Sequence, residues 1–190
     1  MSSSVHPSDM DEVGVSGAAG ASPQRAPRRV LLVVSGLSGV SSLKHMIRHL
    51  ERWCTVNIEV MRGYSPVGAT NAAQRAIDKA QPDIMVLSGN HYSIFGAAYS
   101  AVYNSIPIAH IAGGLEMTIF GHAISKLSHY HFVTSPHAAG ILRMIGETAI
   151  WVVAEGEAGA EHIAEIISSH DLQDIGPPEP VDLSGLSCED

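Results

Sequence analysis

The hydrophobic positions of this chain fall into six short, nearly uninterrupted runs, and segments with a helical pattern separate them. The runs are RVLLVVSG (29–36), TVNIEVM (55–61), PDIMVLSG (82–89), IPIAHIAG (106–113), YHFVTS (130–135) and AIWVVAEG (149–156). Runs rich in Val, Ile and Leu without strict alternation indicate strands that are buried on both faces. The segments between them predict helices near 41–52, 69–80, 93–104, 121–129, 136–145 and 159–169. This alternation predicts an α/β fold built on a doubly wound parallel sheet.

The two ends of the chain differ in composition from this core. Residues 1–28 are mostly Ser, Gly, Ala and Pro with isolated apolar residues, so burial cannot offset the entropy of ordering them. Residues 171–190 combine prolines with acidic residues. We therefore expect a disordered N-terminal tail at 1–28, one domain at 29–170 and a flexible acidic tail at 171–190. A length of 190 residues with 45% hydrophobic content fits one ordinary core.

Charge and cysteine content narrow the range of partners. The net charge is -8 with 11 Lys and Arg residues, which leaves no basic face for nucleic acid. Cys54 and Cys188 lie far apart in the sequence, so no disulfide framework is indicated and a cytoplasmic location is expected. The apolar run after Arg29 ends at Ser35, which is too short for a signal-peptide core or a membrane span. We expect no membrane partner.

Candidate chemistry lies where the predicted strands end, because parallel strands of such a sheet direct their carboxyl ends toward the ligand. The corresponding loops span 35–42, 62–68, 88–93, 112–122, 134–137 and 154–159. The Gly113-Gly114 pair closes the fourth strand, and glycines at such a place let ligand and backbone approach closely. His122, Ser125 and Lys126 then follow within about one helical turn of each other.

The stretch 110–132, HIAGGLEMTIFGHAISKLSHYHF, resembles the hydrolysing UDP-N-acetylglucosamine 2-epimerases. In that family a buried strand ends in His-Ile-x-Gly-Gly-Glu, and Arg-His-Ala-Ile-Thr-Lys-Leu-Ser-His-x-His-Phe follows. The resemblance covers about 29–167 and implies a Rossmann-like domain that is one half of a glycosyltransferase-B-like fold. It also implies a UDP-sugar of the UDP-N-acetylhexosamine class as substrate, and it implies no cofactor.

The resemblance further implies roles for individual residues. The residues expected to be catalytic are His91, Glu116 and His122. The residues expected to bind substrate are Gly36, Ser38, Asn90, His110, Gly113, Gly114, Ser125 and Lys126. After Gly114, His122 and Lys126 are the retained family residues that can donate to a phosphate or a sugar hydroxyl, so we expect them to be the main polar contacts there.

The chain departs from the family pattern where acids, bases and cations are needed. Ser38 stands in place of an arginine that faces the phosphates, and Asn90 stands in place of an aspartate that is implicated in moving the C2 proton. An amide does not titrate, so His91 becomes the substitute base in this loop. Gly121 replaces another arginine, and Glu116 is the acidic residue left between the two motifs. We therefore expect no turnover by the isolated chain.

The resemblance implies that the family's second domain, which supplies most of the uridine pocket, lies outside the matching region 29–167. We expect either a complementary half-domain chain or a homo-oligomer, because half of a two-domain fold exposes the surface that normally packs on the other half.

Other interpretations stay open. The chain could be a non-catalytic binding or regulatory relative, or it could bind a different small molecule, because a fold does not determine a function. Asn90 and Ser93 could simply cap the helix that follows them. A metal site is not expected, because the spacing of the histidines in 110–131 is poor for ligation and few carboxylates are nearby.

Overall fold

The computed structural model describes residues 26–62, 64–114 and 118–169, and within these ranges the chain forms six strands and seven helices. The strands are β1 (Arg28–Val34), β2 (Cys54–Val60), β3 (Ile84–Ser88), β4 (Ile108–Ile111), β5 (Tyr130–Val133) and β6 (Ile150–Val152). The helices are α1 (Leu37–Ser42), α2 (Lys44–Leu50), α3 (Pro66–Ala80), α4 (Tyr92–Tyr103), α5 (Ile119–Leu127), α6 (Pro136–Met144) and α7 (Glu157–Ser168). Each predicted strand is therefore present.

All six strands lie parallel in one sheet, in the order β2-β1-β3-β4-β5-β6. The central strands are buried at almost every position, whereas β2 and β6 at the two edges are partly exposed. Helices cover both faces of the central strands, which explains why their sequences do not alternate between apolar and polar residues. The predicted α/β doubly wound parallel sheet is confirmed.

Successive residues of β1 face two different helical layers. Val30 and Leu32 pack in the layer formed with α2 and α7, whereas Leu31 and Val33 pack in the layer formed with α3, α4 and α5. Arg28 is buried at the start of β1, and its Nη1 donates a hydrogen bond to the carbonyl oxygen of Ile167 at 2.8 Å. This bond links α7, the last described helix, to the first strand.

Helix boundaries differ from the predicted ones where turns are capped. The helix predicted at 41–52 is two helices, α1 and α2, which meet at Leu43. No residue of α1 is buried, so its sequence has no apolar periodicity that would predict a helix. Helix α3 begins at Pro66 because the Ser65 hydroxyl accepts a hydrogen bond from the Gly68 N–H. Thr118 caps α5 in the same way through the Gly121 N–H. These caps extend both helices toward the strand ends.

The predicted tails, 1–28 and 171–190, lie outside the described residues except for 26–28, and Arg28 already belongs to β1. Cys188 also lies outside them, and Cys54 is a buried free thiol in β2. Within the described residues, no helix combines the length and the apolar character needed to cross a bilayer.

Candidate functional site

The strand order creates a crevice between the carboxyl ends of β1 and β3. In the sheet, β2 lies on one side of β1 and β3 lies on the other, so the connections after β1 and after β3 lead in opposite directions. Open α/β sheets bind ligands at such a switch point. The loops after the two strands touch, since a Cβ on Gly89 would lie 3.0 Å from the Oγ of Ser35. Gly36 and Gly89 both have a φ of 114°, which glycine alone adopts readily. Gly36 and Asn90 therefore lie at this crevice.

A cleft of about 240 Å³ occupies the same sheet edge, over the ends of β4, β5 and β6. Its lining includes the polar residues Ser42, His45, Thr134 and Glu155, together with Ala112 and Gly156. Pockets that enclose a drug-sized ligand usually measure roughly 300–1,000 Å³. The cleft can therefore hold only part of such a ligand.

The Gly-Gly turn after β4 is packed closely by atoms of the chain itself. A Cβ on Gly113 would lie 2.9 Å from the Nδ1 of His110, and a Cβ on Gly114 would lie 2.6 Å from the carbonyl oxygen of Ala138 in α6. Gly114 also has a φ of 79°. Both glycines are buried, so the absence of side chains admits the protein's own atoms at this turn. The turn fixes the shape of the sheet edge and offers little surface to a ligand.

His110 lies beneath this turn and is only 2% exposed. Its ring contacts the carbonyl oxygen of Gly89 through Nε2 at 3.2 Å, which assigns the proton to Nε2. Nδ1 then accepts from the Ser125 hydroxyl at 3.4 Å. Burial lowers the pKa of His110 to about 4, so the ring is neutral at pH 7. His110 and the buried Ser125 thus connect the Gly-Gly turn to the loop after β3 and lack exposed surface for substrate.

Asn90 and His91 follow Gly89 on the accessible side of the crevice. The Asn90 carbonyl oxygen accepts a hydrogen bond from the Thr118 hydroxyl at 3.5 Å, which connects this loop to the start of α5. His91 is the N-cap of α4, since its Nδ1 accepts from the Ser93 N–H at 3.4 Å. The interpretation of Asn90 as the cap is therefore wrong by one residue. The side chain of His91 is exposed to solvent.

Helix α5 carries His122 and Lys126 toward opposite edges of the sheet. His122 is exposed in the first turn, and its N–H donates to the Thr118 carbonyl oxygen at 2.9 Å. The Nζ of Lys126 donates to the carbonyl oxygen of Ile145 at 3.1 Å. Ile145 follows α6, which runs from the carboxyl edge of the sheet back to the amino edge. The expectation that Lys126 contacts a ligand beside Gly114 is corrected, because its long side chain extends away from the strand ends.

Glu147 organises this cluster at the amino edge, and the sequence pattern gave no indication of it. Its carboxylate forms an ion pair with the Nζ of Lys126 at 2.7 Å and lies 3.2 Å from the Nε2 of His131. Burial lowers the pKa of His131, while the Glu147 charge acts in the opposite direction. These three residues are separated along the chain, so only the folded structure shows that they form one cluster.

Arg62 is a cation at the carboxyl edge that sequence analysis did not single out, although it opens the predicted loop 62–68. The N–H of Met61 donates to the Val34 carbonyl oxygen at 2.9 Å, so the residue after Met61 adjoins the loop that follows β1. The Arg62 side chain is exposed. Ser38 is also exposed, in the six-residue helix α1, and brings no charge. Arg62 is therefore an exposed cation in a loop that adjoins the loop after β1.

Two further expectations concern Glu116 and the histidines. Glu116 lies in 115–117, outside the described residues. Among the residues that the structure does describe, no three His, Cys, Asp or Glu side chains are arranged to hold a metal ion. His129, for example, uses its Nδ1 to accept from the Ile108 N–H at 3.2 Å, which gives it a role in joining β4 to the start of β5.

Comparison with known proteins identifies 2-epimerases that act on UDP-sugars as relatives of this chain. The UDP-N-acetylglucosamine 2-epimerase family matches residues 63–177. A hydrolysing UDP-N,N'-diacetylbacillosamine 2-epimerase from Legionella pneumophila is 30% identical over 126 residues, which cover 56% of this chain and 33% of the relative. The chain thus spans about a third of the length of this curated relative.

Solved structures show the same fold. The UDP-N-acetylglucosamine 2-epimerase from Rickettsia bellii has a TM-score of 0.62 at 16% identity, over 77% of this chain and 50% of that chain. The enzyme from Neisseria meningitidis, solved bound to UDP-GlcNAc, has a TM-score of 0.58 at 17% identity, over 65% of this chain and 45% of that chain. The domain is thus Rossmann-like and corresponds to part of a glycosyltransferase-B-like fold. Because the family match covers more than half of its residues, the chain belongs to the UDP-N-acetylglucosamine 2-epimerase family.

Proposed function

We propose that this chain forms one wall of a UDP-sugar site of the hydrolysing 2-epimerase type, and that a partner chain supplies the other wall. The main support is the convergence of the loops after β1, β3 and β4 at one edge of the sheet, around a switch point. The cleft of about 240 Å³ at this edge is too small to enclose a nucleotide sugar by itself. A cleft enzyme can be assembled from two chains if both walls meet around the substrate.

In this proposal the residues of the carboxyl edge divide into two groups. The pyrophosphate lies near Gly36, Ser38 and Arg62, where the guanidinium offers a fork of N–H donors. The sugar lies near Asn90 and the imidazoles of His91 and His122, with Glu116 as a further candidate acid. His110, Gly113, Gly114 and Ser125 act as positioning residues beneath them. We place the protein in the cytoplasm, where the Cys54 thiol stays reduced.

Arg62→Ala is expected to weaken binding of UDP by about 10- to 150-fold, because a hydrogen bond to a charged group contributes roughly 1.5–3 kcal/mol. Lys126→Ala is the matched control, since it removes another exposed cation whose ammonium is paired with Glu147 at the amino edge. Calorimetric titration of UDP and UDP-N-acetylglucosamine into the wild type and both variants measures the effect. Weakening by Lys126→Ala with unchanged binding by Arg62→Ala would move the phosphate site to Lys126. Equal weakening in both variants would contradict a specific role of Arg62, and a wild type that binds neither ligand would contradict the proposed UDP-sugar site.

The isolated chain is expected to release no UDP from UDP-N-acetylglucosamine. Epimerisation with hydrolysis needs acid and base groups positioned around an enclosed substrate, and the chain alone forms only one wall of the site, where His91 and His122 take the place of a titrating group at Asn90. Co-expression with the carboxyl-terminal half of a family enzyme is expected to restore UDP release in a coupled assay. Turnover in the ordinary range of roughly 1–10³ per second by the chain alone would show that no partner is needed.

A non-catalytic binding relative is the second candidate function. Asn90 favours it, because an amide occupies the crevice at the place of the family's proton-transferring aspartate. This candidate predicts normal UDP binding and no UDP release after the second half is added. The pair of assays therefore separates the two functions.

A further inference from the structure

Helix α2 and the turn after it present a row of cations to solvent. Lys44, Arg48 and Arg52 follow each other at intervals of four residues, which places them on one side of the helix. The N–H of Arg52 donates to the His49 carbonyl oxygen at 3.2 Å, so the helical path continues to Arg52. All three cations are exposed, and Glu51 is the one carboxylate between Lys44 and Arg52. We call Lys44, Arg48 and Arg52 the cation row.

The carboxylates of the neighbouring helix α7 are directed mainly at a histidine of α2. The Oε1 of Glu157 lies 3.8 Å from the Nε2 of His49, and the Oε1 of Glu161 lies 3.8 Å from its Nδ1. Arg52 lies 3.9 Å from the Glu161 carboxylate, at the limit of an ion pair. The other two cations of the row form no ion pair among the described residues. The row can therefore accept further carboxylates.

The end of the chain carries the complementary charge. Residues 171–190 contain six Asp and Glu residues and no Lys or Arg. Residues 1–25 contain three Asp and Glu residues together with Arg25. Among the described helices, α2 alone carries two Lys or Arg residues and no carboxylate. Charge complementarity therefore favours the segment 171–190 as the occupant of the cation row.

This segment follows a helix that ends beside the cation row. The Nη1 of Arg28 donates to the carbonyl oxygen of Ile167 at 2.8 Å, which places the end of α7 at the start of β1. In the sheet, Arg28 is paired in register with Cys54, and Trp53 directly precedes Cys54. The chain after Ser169 therefore begins close to Trp53 and to the end of the row.

Length and composition also suit this contact. Twenty extended residues reach up to about 70 Å, whereas the row extends over about 12 Å of helix. Trp53 is 41% exposed, and the segment contains Pro177, Pro178 and Pro180, which favour the extended conformation that binds to aromatic side chains. Exposed ion pairs are weak, but a tethered segment has an effective concentration in roughly the millimolar range. Weak contacts therefore suffice within one chain.

We propose that residues 171–190 dock on the outer side of α2, with their carboxylates against the cation row and their prolines against Trp53. Because α2 leads from the end of β1 to the start of β2, the docked segment extends from the amino edge toward the carboxyl edge of the sheet. The contact is within one chain, and it does not depend on UDP-sugar binding.

A nitroxide label on Cys188 of the full chain tests this contact. Cys54 is buried, so the label is expected to react at Cys188. Amide NMR signals of α2 are expected to lose most of their intensity through paramagnetic broadening, whereas those of α3, on the other face of the sheet, are expected to keep theirs. A second sample carries the label at Ser184→Cys in a Cys188→Ser background, which moves the probe closer to α7.

Charge reversal provides the matched comparison. Arg48→Glu is expected to restore the α2 signals, because it replaces an attraction by a repulsion. Arg75→Glu is the control, since it makes the same change at an exposed cation of α3 and is expected to leave the broadening unchanged. Salt at about 1 M, where the Debye length is about 3 Å, is also expected to restore the α2 signals. Circular dichroism verifies that each variant is folded.

Four results would overturn the proposal. The first is the absence of selective broadening of α2 with either label, and the second is broadening that Arg48→Glu leaves unchanged. The third is an equal loss of broadening in Arg48→Glu and in Arg75→Glu. The fourth is broadening that arises only between chains, which a mixture of spin-labelled chain and isotope-labelled chain without the nitroxide would detect.

Discussion

Replacing Gly114 with alanine is expected to lower the free energy of unfolding by about 2–4 kcal/mol. Two separate effects contribute to this loss. Gly114 has a φ of 79°, which an alanine adopts only with strain. The new Cβ would also lie 2.6 Å from the carbonyl oxygen of Ala138, and that backbone atom cannot move without displacing α6. Urea denaturation of both proteins at pH 7 measures the difference.

Two other glycines provide controls for these effects. Gly146 has a φ of 90°, but a Cβ there would make only an ordinary contact, 3.9 Å from the Nζ of Lys126, so Gly146→Ala tests strain alone. Gly140 lies within α6, and a Cβ added to it would have no neighbouring atom within 4 Å, so Gly140→Ala is expected to be neutral or to stabilise by up to about 1 kcal/mol. A loss in Gly114→Ala no larger than that in Gly146→Ala would show that α6 does not pack against the turn as described.

Lowering the pH from 7 to 4 is expected to reduce the free energy of unfolding by about 3 kcal/mol through His110. Burial lowers the pKa of His110 from 6.5 to about 4. Above pH 6.5 the ring is neutral in both the folded and the unfolded chain, and the full stability is present. Between pH 6.5 and 4 the unfolded chain takes up the proton first, so stability falls as the pH decreases. Below about pH 4 the loss through this residue is complete.

Denaturation at several pH values, in the wild type and in His110→Gln, isolates this contribution. The variant is expected to lose some stability at pH 7 because it disturbs the contacts to Gly89 and Ser125, but its pH dependence is expected to be shallower. His137→Gln serves as control because His137 is exposed. Burial lowers the pKa values of His129 and His131 as well, so they add to the wild-type loss in the same direction. An unchanged pH dependence in His110→Gln would contradict the buried, neutral state of this ring.

Much of the fold and one part of the candidate site follow from the sequence by itself. The uninterrupted apolar runs determine six buried strands, and the helices between them require parallel connections. Parallel strands bring their carboxyl ends to one edge, so the positions of Gly36, Asn90 and His91 on that edge follow from topology without knowledge of any contact. The motif after Gly114 likewise indicated the family that the comparisons show.

The direction and burial of individual side chains were decided only by the tertiary structure. Lys126 follows His122 by one helical turn, yet Glu147 and the Ile145 carbonyl draw its ammonium to the opposite edge of the sheet. The residues next to His110 in the sequence do not predict its pKa of about 4, because elements that are distant along the chain bury the ring and thereby lower this pKa. Local spacing constrains where a residue lies on a helix or a strand. Whether its polar atoms meet a ligand, solvent or another part of the chain depends on contacts that form only when the sheet and its helices pack together.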